Sequence, residues 1–228
     1  MNAYIIVEGD RTETTVYPAW LSIIAPDLQK INDPWQVKEN CYYLFSGAGI
    51  PNIYHHTVQS VIDINNINSG DYKFDCLMIC LDTEQESREY ILEQIDSYLK
   101  ASNVKPQGFQ IVVFEQKVCM ETWFLGNRKI FKSNPQDTDL LRYINYYNVG
   151  NNDPELMGNI DKNKFSTMAG FHFKYLKSML AERNIRYSKN NTEAICQQDY
   201  LKELIKRYKE TSHLKSFGSW YEFVRDNL

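Results

Sequence analysis

The chain has 228 residues, enough for one large domain with an extension and ample for a real hydrophobic core. Hydrophobic residues make up 43% and charged residues 24%, the balance of an ordinary soluble globular protein. The net charge of −4 argues against a protein that coats nucleic acid through its overall surface charge; such a role would need a local basic patch or a metal ion offsetting carboxylates.

Residues 3–7 form a short continuous apolar run, the pattern of a buried strand, and it passes directly into Glu8 and Gly9 in "YIIVEGDRTETTVYPAWL". A carboxylate just past a strand end either caps a turn or reaches for something outside the protein. From Thr12 to about Ala25 the residues Val16, Trp20, Ile23 and Ile24 recur near helical spacing, and Pro26 ends the run. "CYYLFSGAG" at 41–49 reads as a second strand stopping at a glycine turn, and 53–67 as a helix. "FDCLMICL" at 74–81 is the clearest buried strand; 84–101 is an amphipathic helix on Ile91, Ile95, Tyr98 and Leu99, and 109–115 another strand. Strands alternating with helices predict a mostly parallel sheet covered on both faces. In such sheets ligands gather at strand carboxyl ends, which places Glu8, Asp82 and Glu115 or its followers along one rim.

After residue 127 the composition shifts to Asn, Asp, Lys and Gly, followed by helical segments at 170–183, 197–210 and 219–227. The expectation is an α/β domain over 1–126 and a mainly helical extension or subdomain over 127–228. The five cysteines are scattered, with no C-x-x-C pair, which argues against zinc. The first residues lack the pattern of a signal peptide, and the apolar runs are too short to span a bilayer; a cytoplasmic setting is expected.

Three acids, Asp82, Glu84 and Glu86, follow the 74–81 strand at alternating positions. In an extended chain residues two apart face the same way, so Asp82 and Glu84 could address one cation. Equally, carboxylates at a helix start complement its dipole, and Glu86 is read that way. Glu121 stands beside Trp123 in "KVCMETWFLGN", either at a site or on a helix surface; Glu13 fits a first-turn position that braces the Gly9 loop. The segment 170–191 interleaves His172, Lys174, Lys177, Arg183, Arg186 and Lys189 with Phe and Tyr, a composition that suits phosphate clamping and base stacking. Lys174 and His172 are its candidates for a site, while Lys177 and Arg183 also fit a solvated helix. There is no P-loop, no G-x-G-x-x-G and no G-x-S-x-G elbow, so ATP hydrolysis by this chain alone is not expected.

In combination these stretches resemble the TOPRIM fold of topoisomerases, primases and OLD-family nucleases. More narrowly, "EGDRTETTVYPAW" resembles the EG-x-x-TE opening of RloB-like proteins, a TOPRIM-related group linked to bacterial anti-phage loci. "KVCMETWFLGN" is similar to the acid-plus-Trp element found later in that group; the likeness covers roughly residues 3–126. It implies that Glu8 is the first-strand glutamate, that Asp82 and Glu84 stand for the Asp-x-Asp pair that holds Mg²⁺ or Mn²⁺, and that Glu121 is the later assisting acid. The second member of the pair is Glu here, one methylene longer. The implied function is metal-dependent cleavage of DNA or RNA in prokaryotic anti-phage defence, beside an ATPase partner. The rival readings are a non-catalytic interaction or sensor module on the same scaffold, and a phosphotransfer or phosphatase-like enzyme acting on a small phosphate ester.

Overall fold

The structure, a computed structural model, describes residues 1–84 and 86–228. Gln85, inside the span 84–101 expected to be helical, lies outside the described residues. The chain divides into two compact units: Met1–Leu81 with Glu86–Glu115 and Glu222–Leu228, and Asp82–Gln85 with Gln116–Tyr221.

The first unit is an α/β layer structure. β1 (Ala3–Val7) is followed by α1 (Thr12–Ile24), then by a three-residue strand β2 (Gln29–Ile31) and by β3 (Cys41–Ser46). After α2 (Asn52–Ile67) come β4 (Cys76–Asp82), α3 (Arg88–Ala101) and β5 (Gln110–Gln116), the last residue of β4 and of β5 being counted with the second unit. The sheet order is β2-β3-β1-β4-β5, with β1 central and parallel to both β3 and β4. All five strands run the same way; Gln110 N–H bonds Asp75 O at 3.2 Å, where β5 begins alongside β4.

Period-two alternation sorts the side chains of β1 and β4 onto the two faces. Tyr4, Ile6, Leu77, Ile79 and Leu81 join α2 and α3 in one core through Ile53, Val61, Ile64, Ile91 and Ile95. Tyr4 anchors it, edge-on to Phe45 and Phe74 with ring centroids 5.9 and 5.2 Å away. Such pairs add about 0.5–1.5 kcal/mol each beyond area burial. On the opposite face Tyr17 of α1 reaches the Cys80 thiol, and Val16, Trp20 and Leu21 are buried with it. Truncating a buried Trp such as Trp20 costs about 3–5 kcal/mol. α1 therefore covers one face, while α2 and α3 cover the other.

The second unit is helical. α4 (Met120–Phe124), α5 (Thr138–Tyr146), α6 (Met168–Ala181) and α7 (Gln198–Thr211) precede α8 (Lys215–Asn227), whose last residues return to the first unit. α4 packs on α6, and this unit takes in the chain from Gln116 to Tyr221. Trp123 lies edge-on to Phe217 and donates from Nε1 to Ser216 Oγ at 2.7 Å; Ser216 Oγ in turn donates to Glu155 Oε1 at 2.6 Å. Arg207 of α7 is buried and ties three places together, bonding Gly126 O at 3.1 Å, Asn152 O at 2.7 Å and His213 Nδ1 at 3.2 Å. Burial lowers its guanidinium to about 10. Among the described residues no helix is long and apolar enough to cross a membrane.

Candidate functional site

The strand order places a topological switch at the centre of the first unit. The chain leaves β1 toward β2 and β3, but leaves β4 in the opposite direction toward β5. Where crossovers diverge, the carboxyl ends of the two strands flank an open crevice, the usual ligand position in a parallel α/β sheet. Glu8 is the first residue beyond β1, and Asp82 is the last residue of β4.

Backbone bonds hold Glu8 from both sides. Its N–H donates to Cys80 O at 3.0 Å, and its carbonyl accepts from Gly49 N–H at 3.1 Å and Ser46 Oγ at 3.2 Å. Gly49 takes φ +80°, a conformation glycine adopts without steric cost, and this lets the loop after β3 close over Glu8. Among the described residues no side chain caps the start of α1, where Arg11 occupies the N-cap position. Glu8 is half-buried, and it acts with Glu86 on Tyr54. Burial raises the Tyr54 hydroxyl, and Tyr90, Glu8 and Glu86 raise it further. Tyr54 and Glu86 thus join Glu8 in this electrostatic neighbourhood. The only signal for Tyr54 in the sequence was its place at the start of the helix after the glycine turn, and Glu86 carried only a dipole reading.

Gly9 belongs to the same loop. A Cβ there would collide with the Glu13 carboxylate, which folds back against it from the first turn of α1. The expected bracing of this loop by Glu13 takes that form, and Glu13 is buried to do it.

In the second unit, Asp82 is half-buried and Glu84 exposed. Between them Thr83 is buried, with its N–H on Gln116 O at 3.1 Å. The chain then turns: Glu84 has φ +47°, and its N–H bonds Val118 O at 3.0 Å. Alternation along an extended strand stops before Glu84, so the shared orientation expected of Asp82 and Glu84 does not follow from the backbone. α3 starts later than expected, at Arg88, with Ser87 capping it by accepting from Tyr90 N–H at 3.1 Å.

Glu121 is buried rather than on a helix surface, and Tyr187 donates its hydroxyl to Glu121 Oε1 at 3.0 Å. Glu121 and Asp82 both act on Cys119. Burial pushes that thiol well up, and Glu121, then Asp82, push it further. Burial likewise raises Cys41, Cys76, Cys80 and Cys196, so no thiol is poised as a thiolate nucleophile.

The basic segment separates into different roles. His172 is fully buried, its ring nitrogens 2.8 Å from Thr122 Oγ1 and 3.0 Å from Met157 O, which makes it part of the core and corrects its candidacy as a phosphate contact. Arg183 is spent on two carbonyls, Ile130 O at 3.1 Å and Phe131 O at 2.9 Å. Lys174 is exposed on α6.

Among the described residues, no group of three or more His, Cys, Asp or Glu side chains is gathered closely enough to hold a metal ion. Comparison with protein-family models, with curated proteins and with solved structures found no match for this chain.

Proposed function

We propose that this chain is a metal-dependent phosphodiesterase of TOPRIM type, cutting DNA or RNA, with Glu8 and Asp82 as its principal metal-binding carboxylates. The observation that carries this reading is the position of the two acids, one directly past β1 and the other ending β4, on the strands where the crossovers diverge. The donor chemistry fits Mg²⁺ or Mn²⁺, which take hard oxygen ligands and are commonly held by one or two carboxylates together with substrate phosphate oxygens and water. Such an ion would neutralise charge on the phosphate and lower the pKa of a bound water.

The protein's own residues supply position. The bond to Cys80 O and those from Gly49 N–H and Ser46 Oγ fix the Glu8 backbone at the carboxyl end of the central strand. Glu84, exposed on its turn, is the supplementary acid. Glu121 accepts the Tyr187 hydroxyl within its own unit, and the family resemblance makes it the later assisting acid. The RloB-like resemblance adds the setting, a cytoplasmic anti-phage system with a separate ATPase as partner.

Purified protein should cleave plasmid, single-stranded DNA or tRNA with Mg²⁺ or Mn²⁺, and Glu8→Ala and Asp82→Ala should each lower the rate at least a hundredfold. Calorimetry should show weaker Mn²⁺ binding by both variants with unchanged melting. Full cleavage by both variants would defeat the proposal. The second reading is a non-catalytic module on the same scaffold that binds a protein partner. Native protein that binds no Mn²⁺, with or without nucleic acid, yet forms a tight complex with an ATPase would select that reading.

A further inference from the structure

A cavity of about 660 Å³ opens in the second unit, at the end of α6 and along the turn that follows. Its volume lies within the roughly 300–1,000 Å³ usual for small-molecule sites. Lys177, Asn184, Arg186, Tyr187, Ser188 and Asn191 line it, and among the described residues no acidic side chain does. Lys177 and Arg186 are exposed, and neither is in an ion pair among the described residues.

The walls are held in place. Ser188 and Asn191 bridge each other through both backbone bonds, at 3.2 and 2.9 Å, and Asn184 sits at φ +58°. Tyr187 is anchored through its hydroxyl to Glu121. The carboxyl end of α6 would by itself repel an anion. Here Leu180 O accepts from Arg183 and Ile185 N–H, and Ala181 O from Asn184 N–H, so returning backbone quenches that end of the helix. The remaining charge at the cavity is the two cations. An ammonium and a forked guanidinium beside amide and hydroxyl donors match a phosphodiester with its sugar and base edges.

We propose that this cavity is a nucleotide-sized grip for a single nucleic-acid strand, with Lys177 and Arg186 holding phosphates and Asn184, Ser188 and Asn191 offering hydrogen bonds to the attached nucleoside. The choice of phosphate over carboxylate rests on the phosphodiesterase reading; the cavity and its cations do not. The test is fluorescence anisotropy with labelled single-stranded DNA and RNA oligonucleotides, using the full chain in EDTA so that metal binding plays no part.

Lys177→Glu/Arg186→Glu should weaken binding at least tenfold. It should also flatten the plot of log affinity against log salt by about 1.4, two phosphates at about 0.7 each. Lys202→Glu, a charge reversal on exposed α7, should bind like the native protein. Should the double reversal fail to fold, Lys177→Gln/Arg186→Gln carries the same prediction with a smaller loss. Binding within twofold of native by the altered protein, no binding by the native protein, or equal displacement by polyglutamate would each overturn the assignment. Glu8→Ala separates the two proposals. Binding that depends on the cavity, with no cleavage by the native protein under any metal, sinks the hydrolase and leaves the grip; cleavage lost in Glu8→Ala, with binding indifferent to Lys177 and Arg186, does the reverse.

Discussion

Acid should destabilise the second unit at His172, and burial of the ring sets the direction and rough size of the effect. The ring is fully buried, with Nε2 3.0 Å from Met157 O and Nδ1 2.8 Å from Thr122 Oγ1. A carbonyl only accepts, so Nε2 carries the hydrogen and Nδ1 accepts from the Thr122 hydroxyl. A second proton would put N–H against that hydroxyl and leave a cation in a dry site. Burial accordingly lowers the imidazole from 6.5 to about 4, opposed only by the bond to Met157.

The unfolded chain takes up a proton near pH 6.5 and the folded chain not until near pH 4, so between these values the unfolded state binds more protons and stability falls as pH falls. Two and a half pH units at about 1.4 kcal/mol each come to roughly 3 kcal/mol, present in full above pH 6.5 and lost by pH 4. Urea unfolding of native protein and His172→Gln at pH 7, 6, 5 and 4 isolates this contribution, because carboxylate titration is common to both. The variant should start less stable at pH 7 and close the gap by roughly 3 kcal/mol at pH 4. Stability curves that stay parallel across that range would refute the reasoning.

Two other perturbations test the packing. Gly9→Ala should cost about 1–3 kcal/mol through the clash with the Glu13 carboxylate, and the loss should shrink in a Glu13→Ala background, a coupling read from melting of the four proteins. Arg207→Met keeps the apolar stem but strips hydrogen bonds from the buried carbonyls of Gly126 and Asn152; denaturant titration should show a loss of about 2–4 kcal/mol.

Much of the first unit was legible in the sequence. β1, β3, β4 and β5 are apolar or amphipathic runs of strand length, and α1, α2 and α3 carry the helical period, so local pattern alone implies a parallel α/β layer. The strand β2 was not legible because "QKI" is an exposed edge segment that becomes a strand only by pairing with β3. α5 was hidden in a polar stretch, and its start depends on Asp137 accepting from Asp139 and Leu140 N–H. α4 is five residues long, too short for periodicity to register.

For the candidate site, the sequence by itself determined which acids stand at strand ends, since a strand's limits and the residue beyond it are local facts. Only the tertiary structure decided that β1 and β4 are neighbours with diverging crossovers, that Glu84 sits on a turn, that Glu121 is buried against Tyr187, and that His172 belongs to the core. Each depends on partners tens of residues away, and periodicity reports whether a side chain is buried but not which distant group it meets.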